Sequence, residues 1–316
     1  MKALITGVTG FAGSFLAENL ISSAKFEVSG TYLSDTSLVN IETIKDKLDL
    51  HKLDLQNFEE VKKVIAEVKP DVVFHLAALA ATAESYSTPS KFINNNIDSQ
   101  VNIFEAIKLA GIKPRVLVVS SAEVYGDVST SDLPIDEDTA IRPVNPYGVS
   151  KVAQDFMGLA YNLSDKIPVI RVRPFNHIGP RQGPSFVVAR FAKAIAEIEK
   201  GDAEPILKVG NLAAKRDFTD VRDMVEAYAL LIEKGEEGEV YNAGSGKSLS
   251  ISQILDKLLA LSTKEIKVET DQSLFRPIDT PELVCDNSKL ESVTGWKPEI
   301  DIDTTLKETL EYWRSQ

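Results

Sequence analysis

The sequence predicts an α/β fold: a doubly wound parallel sheet with a smaller C-terminal α/β lobe. Three observations lead there. Apolar runs and helical patterns alternate from residue 2 to residue 176. The runs are continuously apolar, as strands covered on both faces must be. The first run opens directly into TGVTGFAG, residues 6–13. A strand, a glycine turn and a helix form a natural receiver for a pyrophosphate.

The elements follow in order. KALIT (2–6) is a short strand, SFLAENLISS (14–23) has helical spacing, and FEVSGTY (26–32) reads as a second strand. VKKVIAEV (61–68) and PDVVFHLAA (70–78) read as helix, turn and buried strand. FINNNIDSQVNIFEAIKLAG (92–111) is helical and stops at Gly111; RVLVVSS (115–121) is a buried strand. PYGVSKVAQDFMGLAYNLS (146–164) is a long helix, and IPVIRVRPFN (167–176) a strand.

After residue 176 the rhythm changes. Pro and Gly cluster in GPRQGPS (179–185), and a helix follows at 185–200. Ser250 is placed to cap a helix with apolar Ile251, Ile254, Leu255 and Leu258. EKGEEGE (233–239) reads as a solvated turn. The expected division is a dinucleotide-binding domain over 1–175, to which segments near 215–245 return, and a discontinuous substrate lobe over 176–316.

Composition narrows the function. The chain has 316 residues, 43% of them apolar, which is ample for a large core. Its formal charge is 35 − 47 = −12. That balance argues against non-specific nucleic-acid binding, which needs cationic surface. It does not exclude an anionic ligand held by a few arginines and a helix N-terminus. Cys285 is the one cysteine, so no intrachain disulfide or CxxC motif exists. His51, His75 and His177 show no metal-ligand spacing, and no metal site is expected. The N-terminus lacks a leader pattern, and no run approaches the ~20 apolar residues of a membrane span. A cytoplasmic protein is expected.

Gly7, Gly10 and Gly13 are spaced GxxGxxG. The first permits a tight turn, and the next lets the backbone approach a pyrophosphate. The cofactor then depends on the end of the second strand, where an acid would bind a ribose 2′-OH. Tyr32 stands there, uncharged, with Asp35 beyond its reach and no Arg or Lys at 32–36. The missing acid favours NADP(H); the missing cation keeps NAD(H) compatible. Asp54, after the third strand, is placed to meet the adenine amino group, or else caps a turn or helix.

SSAEVYG (120–126) and PYGVSK (146–151) supply Ser121, Tyr147 and Lys151. Tyr147 and Lys151 are four apart, hence on one helix face. A free phenol titrates near ~10 and is a poor acid or base at neutral pH. A lysine cation one turn away, together with the nicotinamide charge, would lower it. Ser121 would then hydrogen-bond a substrate oxygen. A YxxxK pair alone is weak; the order of glycine loop, strand-end serine and YxxxK gives it meaning. GSGKS (244–248) is similar to a phosphate loop, but Tyr241 stands where that loop needs a glycine.

These motifs, with HLAA (75–78), RPFNHIGP (173–180), RDFTDVRD (216–223), YNAGSG and DNSKLESVTGWKP, span nearly the whole chain. In that order they resemble an extended short-chain dehydrogenase/reductase of the sugar-nucleotide epimerase/dehydratase type. The resemblance implies a Rossmann-type domain binding NAD(P) and a C-terminal nucleotide-sugar lobe. It implies Ser121, Tyr147 and Lys151 as the catalytic trio. It assigns cofactor contacts to Gly7, Thr9, Gly10, Phe11, Ala12, Gly13, Tyr32, Asp54, Leu55, Leu76, Ala77, Ala78, Tyr147 and Lys151. On the substrate side it implies Ser121, Asn176, Arg216, Arg276 and Asp279; the plain reading of each arginine is a salt bridge. His177 reads as a structural loop residue.

Within the family the motifs are most similar to those of enzymes acting on GDP-linked sugars, reductases of the 4-keto-6-deoxy sugar and 4,6-dehydratases of GDP-mannose. Dehydration needs a base and an acid besides the tyrosine. In such dehydratases the hydroxyl residue is followed by Asp-Glu or Ser-Glu. Here Ser121 is followed by Ala122 and Glu123. Glu123, the potential C5 base, is kept, and alanine donates no proton. The expected activity is NAD(P)H-dependent reduction of a GDP-4-keto-6-deoxy-hexose, of the GDP-rhamnose-forming type. A nucleotide-sugar 4-epimerase, a 4,6-dehydratase and a non-catalytic dinucleotide-binding regulator are the alternatives. Relatives pair as homodimers through two helices, for which 92–111 and 146–164 are the candidates.

Overall fold

In a computed structural model, residues 1–275 and 277–316 are described. The chain begins with β1 (Lys2–Thr6), α1 (Phe11–Ser22), β2 (Glu27–Tyr32), β3 (Asp49–Lys52), α2 (Phe58–Val68) and β4 (Val72–His75). It continues through α3 (Thr82–Ser85), α4 (Pro89–Ala110), β5 (Arg115–Val119), α5 (Pro146–Asp165), β6 (Val169–Pro174) and β7 (Asn176–Ile178). Then come α6 (Val187–Lys200), β8 (Ile206–Val209), β9 (Lys215–Asp220), α7 (Val221–Lys234), β10 (Val240–Ala243) and β11 (Ser248–Ser250). The last elements are α8 (Ile251–Ala260), β12 (Lys267–Thr270), β13 (Glu282–Leu283), α9 (Ser288–Thr294) and α10 (Ile302–Ser315).

Seven parallel strands form the main sheet in the order β3-β2-β1-β4-β5-β6-β10. Both faces are buried, which explains the continuous apolar runs. Ala3 and Ile5 pack into the cluster under α1 and α7. Leu4, between them, packs into the opposite cluster with α2 and α4. Successive side chains thus enter different cores. The strand order reverses between β1 and β4, and ligands of such sheets bind outside the strand ends at that point. α7 and β10, at 221–243, lie with this sheet and not with the second lobe.

Local chemistry sets the helix ends. Asn145 caps α5, accepting from the Gly148 N–H at 2.7 Å, with Pro146 at the first helical position. α4 starts at Pro89 and ends at Gly111, whose φ is 65°. Ser250 caps α8 in a reciprocal box with Gln253, as its sequence predicts. One expected strand is two. The run 167–176 breaks after Pro174: β6 stays in the main sheet, and β7 pairs with β9 in the second lobe. Phe175, between them, still donates its N–H to the Ala243 carbonyl at 2.7 Å. Proline cannot continue a ladder on its N–H side, so the chain changes sheets there.

The second lobe centres on a separate apolar cluster built by α6, α8 and α10 with β8 and β9. A buried ion triad secures α5 to the main sheet. Asp155 accepts from Arg171 at 2.7 Å and from Arg173 at 2.8 Å.

Candidate active site

The glycine loop is tightly wound. Gly7 has φ +71°, and the Gly10 N–H bonds the Gly7 carbonyl at 2.9 Å. A Cβ on Gly13 would stand 2.2 Å from the Gly7 oxygen, so only glycine fits there. The turn leaves the first N–H groups of α1 facing outward, a natural anion seat. Asn40 Nδ2 donates to the Thr9 carbonyl at 2.9 Å, and the Thr9 and Ser37 hydroxyls bond at 2.8 Å. These bonds tie the loop to the segment after β2. The cradle therefore fits a dinucleotide diphosphate.

A cleft of about 530 Å³ runs from this loop to the second lobe. Gly7, Gly10, Phe11, Ala12, Gly13, Leu76 and Ala78 line it at one end. Ser121, Glu123, Tyr147 and Lys151 line its middle, and Asn176, Arg216 and Asp279 come from the second lobe. Residues hundreds of positions apart thus share one wall system. Thr9, Tyr32, Asp54, Leu55 and Ala77 are not among the lining residues. Asp54 accepts from the Gln56 N–H at 2.9 Å, the turn-capping role weighed for it. Tyr32 ends β2 opposite Lys52 on β3. Lys52 in turn pairs with Asp35. The cation absent from 32–36 thus stands on the neighbouring strand.

Lys151 is buried, and its Nζ donates to the Val119 carbonyl at 2.8 Å. It lies 5.9 Å from the centre of the Tyr147 ring. Burial pulls its pKa down to about 7. The expected lowering rests on the lysine together with the nicotinamide charge; burial acts against it. Burial pushes the Tyr147 phenol well above its ordinary value. A hydrogen bond with Ser121 works against the rise, and the Glu123 carboxylate adds to it. Desolvation penalises the phenolate more than the nearby groups favour it. Tyr147 therefore holds its proton at neutral pH.

Ser121 caps the short turn 122–124, its Oγ accepting from the Glu123 N–H at 3.2 Å. Glu123 Oε2 accepts from Asn145 Nδ2 at 2.7 Å. The carboxylate therefore grips the residue that caps α5, the helix of Tyr147 and Lys151. Ala122 is buried in an apolar cluster with Val124, Tyr125 and Phe175.

In the second lobe, two expected ligand contacts bind each other. Arg216 donates to Asp279 at 2.7 Å and to the Thr280 carbonyl at 2.8 Å. Asn211 Nδ2 holds the other Asp279 oxygen at 2.8 Å. Asn176, at the start of β7, is exposed to the cleft. Arg276 lies outside the described residues. His177, read from sequence as a loop residue, instead lies within β7 opposite Thr219, and its ring stacks on Phe11, with centres 5.8 Å apart and planes 6° apart. Gln182, Arg190, Asn211 and Tyr228 also line the cleft and were not anticipated. Only the fold brings them there.

A family model described as GDP-mannose 4,6 dehydratase matches residues 4–309. GDP-6-deoxy-D-mannose reductase of Pseudomonas aeruginosa is 32% identical over 315 residues, spanning 100% of this chain and 98% of that protein. GDP-mannose 4,6-dehydratase of Vibrio cholerae is 28% identical, over 97% of this chain and 92% of that protein. A solved structure of RMD from Pseudomonas aeruginosa complexed with NADPH superimposes with a TM-score of 0.87 at 32% identity, covering 99% of each chain.

Proposed function

Because the chain belongs to the GDP-mannose 4,6 dehydratase family of extended short-chain dehydrogenases/reductases, we propose that it reduces the 4-keto group of a GDP-4-keto-6-deoxy-hexose with NAD(P)H. The product would be GDP-rhamnose or a stereochemical relative. NADPH is the favoured reductant, following the NADPH-bound relative, and NADH remains compatible.

When bound, the reduced nicotinamide supplies a hydride. The glycine loop and the start of α1 would hold the diphosphate, and Lys151 the adjoining ribose. Ser121 orients the C4 oxygen. Tyr147, held protonated by its burial, donates the proton to that oxygen. Asn176, Arg216 and Asp279 face the nucleotide-sugar end of the cleft.

One observation favours reduction over water elimination: Ala122, between Ser121 and Glu123, is a buried methyl in an apolar cluster. It offers no proton for the departing C6 hydroxyl. The test is a pair of assays. GDP-4-keto-6-deoxy-mannose with NADPH or NADH should oxidise the cofactor rapidly and stoichiometrically. GDP-mannose with oxidised cofactor should yield no 4-keto product. A 4-keto product in the second assay would make Glu123, which lines the same cleft, a dehydratase base. Cofactor retained through a cycle without net oxidation would indicate an epimerase.

The pH dependence follows from Lys151. As a cation it favours the tyrosinate left after Tyr147 has given its proton. It loses that charge as pH rises through about 7. The kcat/KM of reduction, which reports free-enzyme groups, should therefore fall above about pH 7. Lys151→Met should flatten this limb at a low rate. A limb unchanged in that variant would assign it elsewhere.

The same reading includes a homodimer acting in the cytoplasm. Val149, Phe156 and Leu163 recur every seven residues along α5, and all three are exposed. Leu109, at the end of α4, is exposed as well. An apolar stripe of this kind favours helix-to-helix pairing. Phe156→Glu should elute as a monomer by light scattering with its fold retained. An undisturbed dimer would move the interface off this face. The buried, unpaired Cys285 suits a reducing compartment.

A further inference from the structure

The reduction proposed above gives Glu123 no chemical task, since Tyr147 supplies the proton and the cofactor the hydride. Its charge even works against the tyrosinate left behind. Yet this half-buried side chain lies at the middle of the cleft. It also closes a chain of contacts between the elements that carry the two hydroxyls of the site.

At one end of the chain, the Glu123 N–H donates to Ser121 Oγ at 3.2 Å. At the other, Glu123 Oε2 accepts from Asn145 Nδ2 at 2.7 Å. Asn145 is buried, and its Oδ1 accepts the Gly148 N–H at 2.7 Å. Gly148 directly follows Tyr147. One side-chain amide thus joins the turn after Ser121 to the first turn of α5. The backbones meet at the same place. A Cβ on Gly148 would stand 2.7 Å from the Glu123 carbonyl oxygen, so glycine lets the helix rest on the turn. Ser121 and Tyr147 must converge on one substrate oxygen, and a misplacement of about 1 Å costs on the order of a hundred-fold in rate.

We infer that Glu123 is a positioning residue: by binding Asn145, its carboxylate fixes the Tyr147 hydroxyl against Ser121, and it exchanges no proton with the sugar. The inference rests on the reduction reading. Such a role needs an acceptor at Glu123 and a donor at Asn145, but no titrating group. Variants that keep the shape therefore separate positioning from acid–base chemistry.

The experiment measures kcat of reduction and the NADPH dissociation constant in four variants. Glu123→Gln loses the charge and keeps an acceptor. Its kcat should stay within about three-fold of wild type, because an amide oxygen also accepts from Asn145. Glu123→Ala breaks the joint and should lower kcat roughly ten- to a hundred-fold. Its NADPH affinity should stay near wild type, since the Val119 carbonyl still holds Lys151 and the Asp155 triad still holds the later turns of α5. Asn145→Ser keeps a helix cap and offers Glu123 no amide N–H, so it should lose kcat as Glu123→Ala does. The double variant Glu123→Ala with Asn145→Ser should lose little more than either alone, as residues acting through one bond do. A glutamine variant as slow as alanine would overturn the inference and make Glu123 a proton-transfer group. So would an alanine variant with wild-type kcat, additive losses in the double variant, or NADPH affinity falling in step with kcat. Wild-type protein that oxidises neither NADPH nor NADH with the 4-keto sugar would defeat the reduction reading itself, and this inference with it.

Discussion

Replacing Tyr147 by Phe is expected to lower turnover roughly a thousand-fold, within the range ascribed to a positioned general acid. Affinity for dinucleotide and sugar nucleotide should stay near wild type. The change removes one oxygen. The ring remains buried, edge-on to Phe92 with centres 6.5 Å apart, so α5 keeps its seat. Ser121 and Lys151 keep their other bonds, to the Glu123 N–H and to the Val119 carbonyl. Reduction without a proton donor would leave an alkoxide at C4 with no acid positioned beside it. Rapid-mixing turnover and equilibrium binding, measured on one preparation, separate the two effects. A variant within ten-fold of wild-type turnover would remove Tyr147 from the proton step. A large loss of affinity would make it a binding residue instead.

The residues that make this prediction possible were legible because each acts within a short stretch of chain. Gly7, Gly10 and Gly13 announce a turn by their spacing, and Tyr147 and Lys151 share a helix face by theirs. The apolar runs announce a sheet buried on both faces. What stayed hidden was created by folding. Arg216 and Asp279 are 63 residues apart and end as one ion pair. Asn145, the cap of α5, is gripped by a carboxylate 22 residues earlier. Lys52 faces Tyr32 across two strands. The burial that opposes a lowered Tyr147 phenol was hidden for a related reason. Sequence shows a lysine one turn away but not the burial that outweighs it.

The largest stability loss from one substitution is expected at Asp155. Its carboxylate is fully buried and holds two guanidiniums, Arg171 and Arg173, themselves almost wholly buried. Buried ion groups cost heavily to desolvate, so a complete set contributes little net stability. Removing the one anion is different, because two cations then stay buried without a counter-charge. Asp155→Ala should therefore cost about 3–5 kcal/mol of unfolding free energy, a fall in melting midpoint of about 5–8 °C for a chain of this length. Glu59→Gln, which breaks the exposed pair with Lys62, should leave the midpoint unmoved. The position also matters for chemistry. Tyr147, Lys151 and Asp155 follow one another at intervals of four along α5, so the triad fixes the rotation at which the helix presents its phenol and amine. Arg173 extends the grip, donating to the Tyr125 hydroxyl at 2.9 Å. Tyr125 lies just beyond the short turn that carries Glu123. Asp155→Asn keeps the shape and loses the charge. It should lie between alanine and wild type in stability, and it should lose turnover more than dinucleotide affinity. If both variants melt with wild type, the triad is not what holds the catalytic helix to the sheet.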